Sequence, residues 1–263
     1  MGLQKYFRAV LDVLRVLGSG SASWNIKWAV VKAILQLKTA SKKQETLADF
    51  QFLQHNYTVS NPSDCQFLLK EIWLEQPYAL PSSNRISSIA DVGANQGFSF
   101  HYFKTQFPHA AIHAFEPDRL NFSLLEKNSA GIMSEKDTLH PVAVWHENTT
   151  LFAADSSAAP SNHSFVEKAA AQETGVAAID FGAWLQEQKP DLVKMDIEGA
   201  EAEVLPRLIS IGAVSIVPYW LVEFHPGTYG PTVELEISKG FEQLGFQVER
   251  RGIIRFYSKK NAR

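Results

Sequence analysis

The chain has 263 residues, 45% of them hydrophobic, and a formal net charge of −3. That length suits one α/β domain with an extension, and the charge balance excludes a general nucleic-acid binder. The single cysteine, Cys65, excludes an intrachain disulfide and a cysteine-rich zinc site.

Charge is unevenly spread. Residues 1–43 hold eight basic side chains and one acid, Asp12, so the acid excess lies in residues 44–263. Within this basic stretch Phe7, Val10, Leu11, Leu14 and Leu17 recur at helical spacing, and Trp24, Trp28, Val31 and Leu35 form a second stripe. Two cap helices packed on a catalytic domain are predicted, with their lysines in water. A helix pair resting on an anionic membrane surface is the competing reading. Asp12 and Arg15 break the first apolar run, so no signal peptide is read. A cytoplasmic location is expected, with a peripheral seat at the inner membrane surface as its variant. A third helix is predicted over 44–54. A fourth is predicted over 61–73, with Asn61 as cap and Pro62 at its first position. The Pro- and Ser-rich stretch 75–85 divides an N-terminal helical cap, 1–80, from the main domain, 81–263.

From residue 86 onward strand and helix patterns alternate, which predicts parallel βαβ units in a Rossmann-like α/β sheet. Strands are predicted at 86–92, 111–115, 139–144, 191–195 and 219–224, and helices at 97–107, 119–128, 180–188, 200–211 and 232–244. A last pair, 246–250 and 253–258, turns at Arg251-Gly252 and ends the sheet with an antiparallel hairpin. The stretch 148–174 reads as loop-rich; a loop this long either folds over substrate or is a slack surface insertion.

Three strand ends carry the chemistry. The first is Asp91-Val92-Gly93-Ala94-Asn95-Gln96-Gly97, a strand running into a glycine-punctuated turn and a helix. Asn95 and Phe98 stand where a dinucleotide fingerprint needs its second and third glycines, which disfavours a pyrophosphate cofactor. A small cofactor with an amino-acid end and a nucleoside end fits better. Glu116, followed by Pro117, closes the second strand and is placed to accept hydrogen bonds from a ribose diol. In the run Lys194-Met195-Asp196-Ile197-Glu198-Gly199-Ala200-Glu201, Asp196 and Glu198 sit near a strand's carboxyl end, where open α/β sheets bind ligands. Glu201 reads as a helix-start acid favoured by the helix dipole. Glu223 and His225 end the next strand on one face, and His225 is a candidate base or metal ligand.

Together these motifs resemble the FkbM family of S-adenosylmethionine-dependent methyltransferases. The likeness rests on the Asp91–Gly97 turn, Phe115-Glu116-Pro117, the Lys194–Glu201 run and Glu223-Phe224-His225. Ala178-Ile179-Asp180 resembles the family's T-L-D element, with Ala where Thr is usual. The resemblance covers roughly residues 86–258 and implies a class I methyltransferase sheet. It implies that Asp91, Gly93, Asn95 and Gly97, with Phe98 beside them, form the turn around the cofactor's amino-acid end. Glu116, with Pro117, is implied to hold the ribose, and Val142, Ala143 and Val144 to flank the adenine. Asp196 is implied to lie near the transferring methyl, with Glu198, Glu223 and His225 facing the acceptor.

The reaction expected is displacement at a sulfonium methyl by an acceptor hydroxyl. His225 takes the proton in one version. In the other, a divalent ion (Mg, Mn or Zn) held by Asp196, Glu223 or His225 lowers the hydroxyl's pKa. The acceptor expected is a small molecule or glycan, such as a sugar hydroxyl or a natural product, with N-methylation as the alternative. The basic helices would suit a polyanionic or lipid-linked glycan, or peripheral membrane contact. An NAD-dependent oxidoreductase and a non-catalytic glycan- or membrane-binding protein are the readings from other classes.

Overall fold

The computed structural model describes residues 22–43, 46–81, 85–153, 165–166 and 175–259, together with Gly18. The helix predicted from Phe7, Val10, Leu11, Leu14 and Leu17 lies outside the described residues. The second predicted helix is α1 (Trp24–Lys42), which packs through Val30, Val31, Ile34 and Leu37. The predicted stripe is rotated from this face: Val31 alone of its four members is buried, and Trp24 and Trp28 are 63% and 49% exposed. Lys27 lies on the buried side instead, with its ammonium 5.4 Å from the Trp24 ring centre, so its stem covers apolar surface.

The predicted helix over 44–54 is a correction. That segment forms a hairpin, β1 (Ala48–Phe52) and β2 (His55–Val59), in antiparallel register with Ala48 opposite Val59. Ala48, Phe50 and Phe52 point inward while Asp49 and Gln51 point out, the two-residue period of a strand. The turn is Leu53-Gln54, both at positive φ (47° and 69°), the backbone of a tight two-residue hairpin without its usual Asn or Gly. The fourth predicted helix is α2 (Pro62–Lys70), whose Asn61 side chain accepts from the Ser63 and Asp64 amides. It continues as a π turn over Glu71–Glu75 and ends at Gln76 in the left-handed conformation. The N-terminal cap is therefore mixed rather than all helical.

The main domain then alternates: β3 (Ser88–Val92), α3 (Phe98–Gln106), β4 (Ala111–Phe115), α4 (Arg119–Ser129) and β5 (Thr138–His140). The predicted strand over 139–144 is two. Beyond Pro141 the chain leaves the main sheet as β6 (Ala143–Trp145). The loop-rich stretch contains β7 (Thr149–Ala153) and β8 (Phe165–Val166), and is followed by β9 (Val176–Asp180), none of which was predicted. These build a second sheet in the order β6-β9-β7-β8. The predicted substrate-covering loop otherwise lies outside the described residues. The chain continues through α5 (Phe181–Gln188), β10 (Leu192–Met195), α6 (Glu201–Ser210), β11 (Tyr219–Glu223), α7 (Pro226–Tyr229) and α8 (Pro231–Gln243). It closes with β12 (Phe246–Arg251) and β13 (Ile254–Lys259).

The seven-stranded sheet runs β12-β13-β11-β10-β3-β4-β5. From β11 to β5 every pair is parallel, and β13 is antiparallel to both its neighbours. This is the expected mostly parallel Rossmann-like sheet with a C-terminal antiparallel hairpin. Strand order reverses between β3 and β10, which opens a crevice at their carboxyl ends. One core joins α1, the first hairpin and the π turn to Ile89, Phe100, Phe103 and Leu192. The other joins Val92, Val193 and Trp220 to α6 and α8. Residues before 80 thus share one core with α3, α4 and one face of the sheet. Among the described residues no helix is long and apolar enough to cross a membrane.

Two amides fasten the hairpin to the glycine turn. Asn128 accepts from the Thr58 amide at 2.9 Å and donates to the carbonyls of Thr58 and Gln96. Gln96 accepts from the Ser60 amide and donates to Ser60 Oγ and Asn121 Oδ1. Asn128 is 4% exposed, so Asn128→Leu strands buried polar groups. It is expected to lower unfolding free energy by ~2–4 kcal/mol, read as a fall in the denaturant midpoint at unchanged slope.

Candidate functional site

The turn after β3 is shaped by three left-handed residues: Gly93 (φ 76°), Asn95 (φ 48°) and Gly97 (φ 94°). Gly93 admits nothing larger. A Cβ there would sit 1.7 Å from the Asp196 carbonyl oxygen, where the ends of β3 and β10 touch. The Gly93 and Ala94 amides donate to the Phe115 carbonyl, which ties the turn to β4. Glu116 then braces it: one carboxylate oxygen accepts from the Asn95 amide at 2.8 Å and the other from the Asp118 amide at 2.9 Å.

Behind the turn lies a lysine buried in the sheet. Lys194 Nζ donates to the Gly93 carbonyl at 2.7 Å and lies 3.6 Å from Asp91 and 3.5 Å from Asp196. Burial alone would lower its pKa, but the charges of Asp196 and Asp91 outweigh it and raise it. Asp91 is fully buried and also accepts from Ser99 Oγ at 2.7 Å. It is a counter-ion under the turn and does not line the cleft above it.

That cleft, about 670 Å³ including its mouth, grades from polar to apolar. Gly93, Asn95 and Asp196 line one end, Glu116 and Pro117 the middle, and Val142, Ala143, Val144 and Leu151 the other. Buried Asn95 Oδ1 and Asp196 Oδ1 have no hydrogen-bond partner, so this end lacks a donor such as an ammonium group. S-adenosylmethionine, with an amino-acid end, a ribose diol and an adenine, matches the gradient. Gly97 and Phe98 stand outside the cleft lining. Gly97 shapes the turn, and Phe98 faces the neighbouring pocket.

The second pocket shares Asn95, Asp196 and Glu198 with the cofactor cleft and adds Glu71, Tyr78, Glu223 and His225. His225 lies just beyond β11, with Nε2 3.6 Å from Asp196, 3.4 Å from Glu198 and 3.9 Å from Glu223. Its Nδ1 lies 3.4 Å from Glu201, an ion-pair distance without hydrogen-bond alignment. Glu201 is wholly buried and accepts from the Ile197 and Gly199 amides, the two that flank Glu198. It therefore fixes Glu198, held at a left-handed φ of 54°, as well as backing His225.

Crowded acids raise one another. Burial, then the Asp196 charge, pushes both Glu71 and Glu198 up to about 7. Burial and the charges of Asp196 and Glu71 raise Glu223. For His225 burial acts downward, but Glu201, Asp196 and Glu198 outweigh it and keep the imidazole protonated at neutral pH. Sequence reasoning missed Lys194, Glu71 and Tyr78. A lysine inside the apolar run Leu192-Val193-Lys194-Met195 was the one visible signal; Glu71 and Tyr78 come from the N-terminal cap and have none.

The methyltransferase FkbM domain profile matches residues 91–248, which include every strand end described above. The chain belongs to the FkbM methyltransferase family. It is similar to Methyltransferase 1 of Beauveria bassiana (strain ARSEF 2860), 27% identical over 174 residues, spanning 56% of this chain and 69% of that protein. It is also similar to Methyltransferase sdnD of Sordaria araneosa, 26% identical over 189 residues, 57% of this chain and 71% of that one. The crystal structure of methyltransferase FkbM from Methylobacillus flagellatus KT aligns with a TM-score of 0.46 and 17% identity, over 87% of this chain and 59% of that chain. As an FkbM methyltransferase the chain is S-adenosylmethionine-dependent.

Glu116 gives a pH test of the cleft. It is 6% exposed, and burial, partly offset by the Asp118 and Asn95 amides, raises it to about 7. With ribose hydroxyls donating to its ionised form, cofactor affinity is expected to be full above about 7 and to fall below it. The Kd for S-adenosylhomocysteine is expected to rise by up to about tenfold per pH unit below that point. Glu116→Gln is expected to flatten the slope, and a flat wild-type curve by calorimetry would show that Glu116 does not meet the ligand as an anion.

Proposed function

We propose that this FkbM methyltransferase O-methylates a hydroxyl of a neutral sugar, glycan or natural product. The observation that supports it is the shared wall: Asn95, Asp196 and Glu198 line both the cofactor cleft and the acid-lined pocket. When bound, S-adenosylmethionine supplies a methyl already activated by its positive sulfur. The protein's task is alignment and removal of one proton, and near-attack alignment is worth ~7–11 kcal/mol.

Glu223 is the residue assigned to take that proton. Burial and the charges of Asp196 and Glu71 raise its pKa to about 8, so it serves as base in its ionised form, whose share grows as pH rises through that value, and it lies in the acceptor pocket. As the acceptor's O–H bond gives way to the new O–methyl bond, the proton passes to Glu223 and the sulfur keeps the electron pair of the broken bond. Lys194 holds Asp196 at the shared wall, and Glu201 aims Glu198. Tyr78 faces the acceptor.

The sign of the pocket supports a neutral polyol over a polyanion. Among the described residues no member of α1 lines either pocket. Its exposed Trp24 and Trp28 leave peripheral contact with an anionic membrane as the role proposed for that segment. The same acids favour a second reading, N-methylation of an amine, because they attract an ammonium group. Incubation with labelled S-adenosylmethionine and matched alcohol and amine acceptors separates the two by which product carries the label. Glu223→Gln is expected to lower kcat on an alcohol by about 10²–10⁴-fold. Its Kd for S-adenosylhomocysteine, by calorimetry, should stay near the wild-type value; undiminished turnover would remove Glu223 from proton transfer.

A further inference from the structure

Asp196, Glu198 and His225 converge in the second pocket from the ends of two neighbouring strands. One ligand atom from each lies within 4.8 Å of the other two. Asp196 turns Oδ2 toward Lys194 and leaves Oδ1 buried without a hydrogen bond, 3.6 Å from His225 Nε2. The far nitrogen of His225 is backed by Glu201, whose carboxylate is fixed by two backbone amides. A carboxylate behind the far ring nitrogen is how metal-ligating imidazoles are oriented. Tyr78 is 4% exposed and lines the same pocket. It stands ready to contact a ligand of the pocket.

We infer that Asp196, Glu198 and His225 form a divalent-cation site beside the acceptor. Two carboxylate oxygens and one imidazole suit a hard ion, Mg²⁺ or Mn²⁺, whose remaining positions are filled by water or by acceptor oxygens. The ligand set differs from the one expected from sequence: Glu198 replaces Glu223, which lies 3.9 Å from His225 Nε2 and outside the triad. Glu198 escapes a sequence pattern because its placement depends on a left-handed backbone held by Glu201. Only the ion's role, polarising the acceptor hydroxyl while Glu223 receives the proton, rests on the methyl-transfer reading. Ion binding itself does not.

The test uses the full chain at neutral pH, with Mn²⁺ as probe and calorimetry plus electron paramagnetic resonance as readouts. The wild type is expected to bind a single Mn²⁺, with a nitrogen coupling that disappears in His225→Gln. Glu198→Gln should weaken Mn²⁺ by about tenfold or more while S-adenosylhomocysteine binding persists, which shows that the variant is folded. Glu223→Gln removes a neighbouring acid of the same pocket without removing a ligand, and should weaken Mn²⁺ far less than Glu198→Gln. Absence of Mn²⁺ binding, absence of the nitrogen coupling, or equal losses in Glu198→Gln and Glu223→Gln would overturn the site; the last outcome means diffuse attraction, the kind an acceptor ammonium would exploit. Mn²⁺ binding without S-adenosylhomocysteine binding would uphold the ion site and remove the cofactor reading.

Discussion

Everything at the active end of this protein depends on the ammonium of Lys194, which has no water around it. It sits in the central sheet, 3% exposed, and holds the Gly93 carbonyl and the carboxylates of Asp91 and Asp196 together. Removing one partner of such a buried group costs ~3–5 kcal/mol, because the charges left behind remain desolvated. The arrangement therefore stores little net stability but permits only one geometry. The ends of β3 and β10 must meet so closely that Gly93 has no room for a side chain. That contact dictates the left-handed turn, the brace from Glu116 and the place of Asp196 on the wall shared by the two pockets.

The N-terminal residues are more than a cap. They pack into the core on one face of the sheet, and through Asn128 and Gln96 their hairpin is bonded to the same turn that Lys194 holds from below. They also deliver Glu71 and Tyr78 to the second pocket. One side of the site thus comes from the family's sheet and the other from a segment that precedes the matched domain, which begins at Asp91.

What sequence made legible was local. The strand-turn-helix at Asp91–Gly97, Glu116 at a strand end and the antiparallel last pair each announce themselves through period and punctuation, and the parallel sheet is implied by their alternation. The hairpin at 48–59 was hidden because Leu53-Gln54 takes up a tight turn that sequence normally marks with Asn-Gly. The strand predicted over 139–144 was one apolar run to the eye, yet it divides at Pro141 between two sheets. In α1 the bulky indoles suggested the buried stripe, whereas smaller side chains elsewhere on the helix pack more closely. In the site, Asp196, Glu198, Glu223 and His225 were all legible as candidates. Their distances, and the roles of Lys194 and Glu201, depend on which strands become neighbours.

The charge of the acceptor pocket constrains the order of events. Glu71, Asp196, Glu198 and Glu223 face Lys194 and His225, and burial leaves several of these acids with raised pKa values. In the O-methylation proposed above, carboxylates around the acceptor oppose a free alkoxide, so an acceptor hydroxyl there loses its proton well ahead of methyl transfer only with a cation beside the oxygen. With these acids alone, proton loss and carbon–oxygen bond formation must advance together, which requires the proton acceptor to touch the acceptor while it is being methylated. Glu223, at a strand end and in the pocket, meets that requirement through placement, and its elevated pKa keeps a carboxylate from holding its proton too weakly to help.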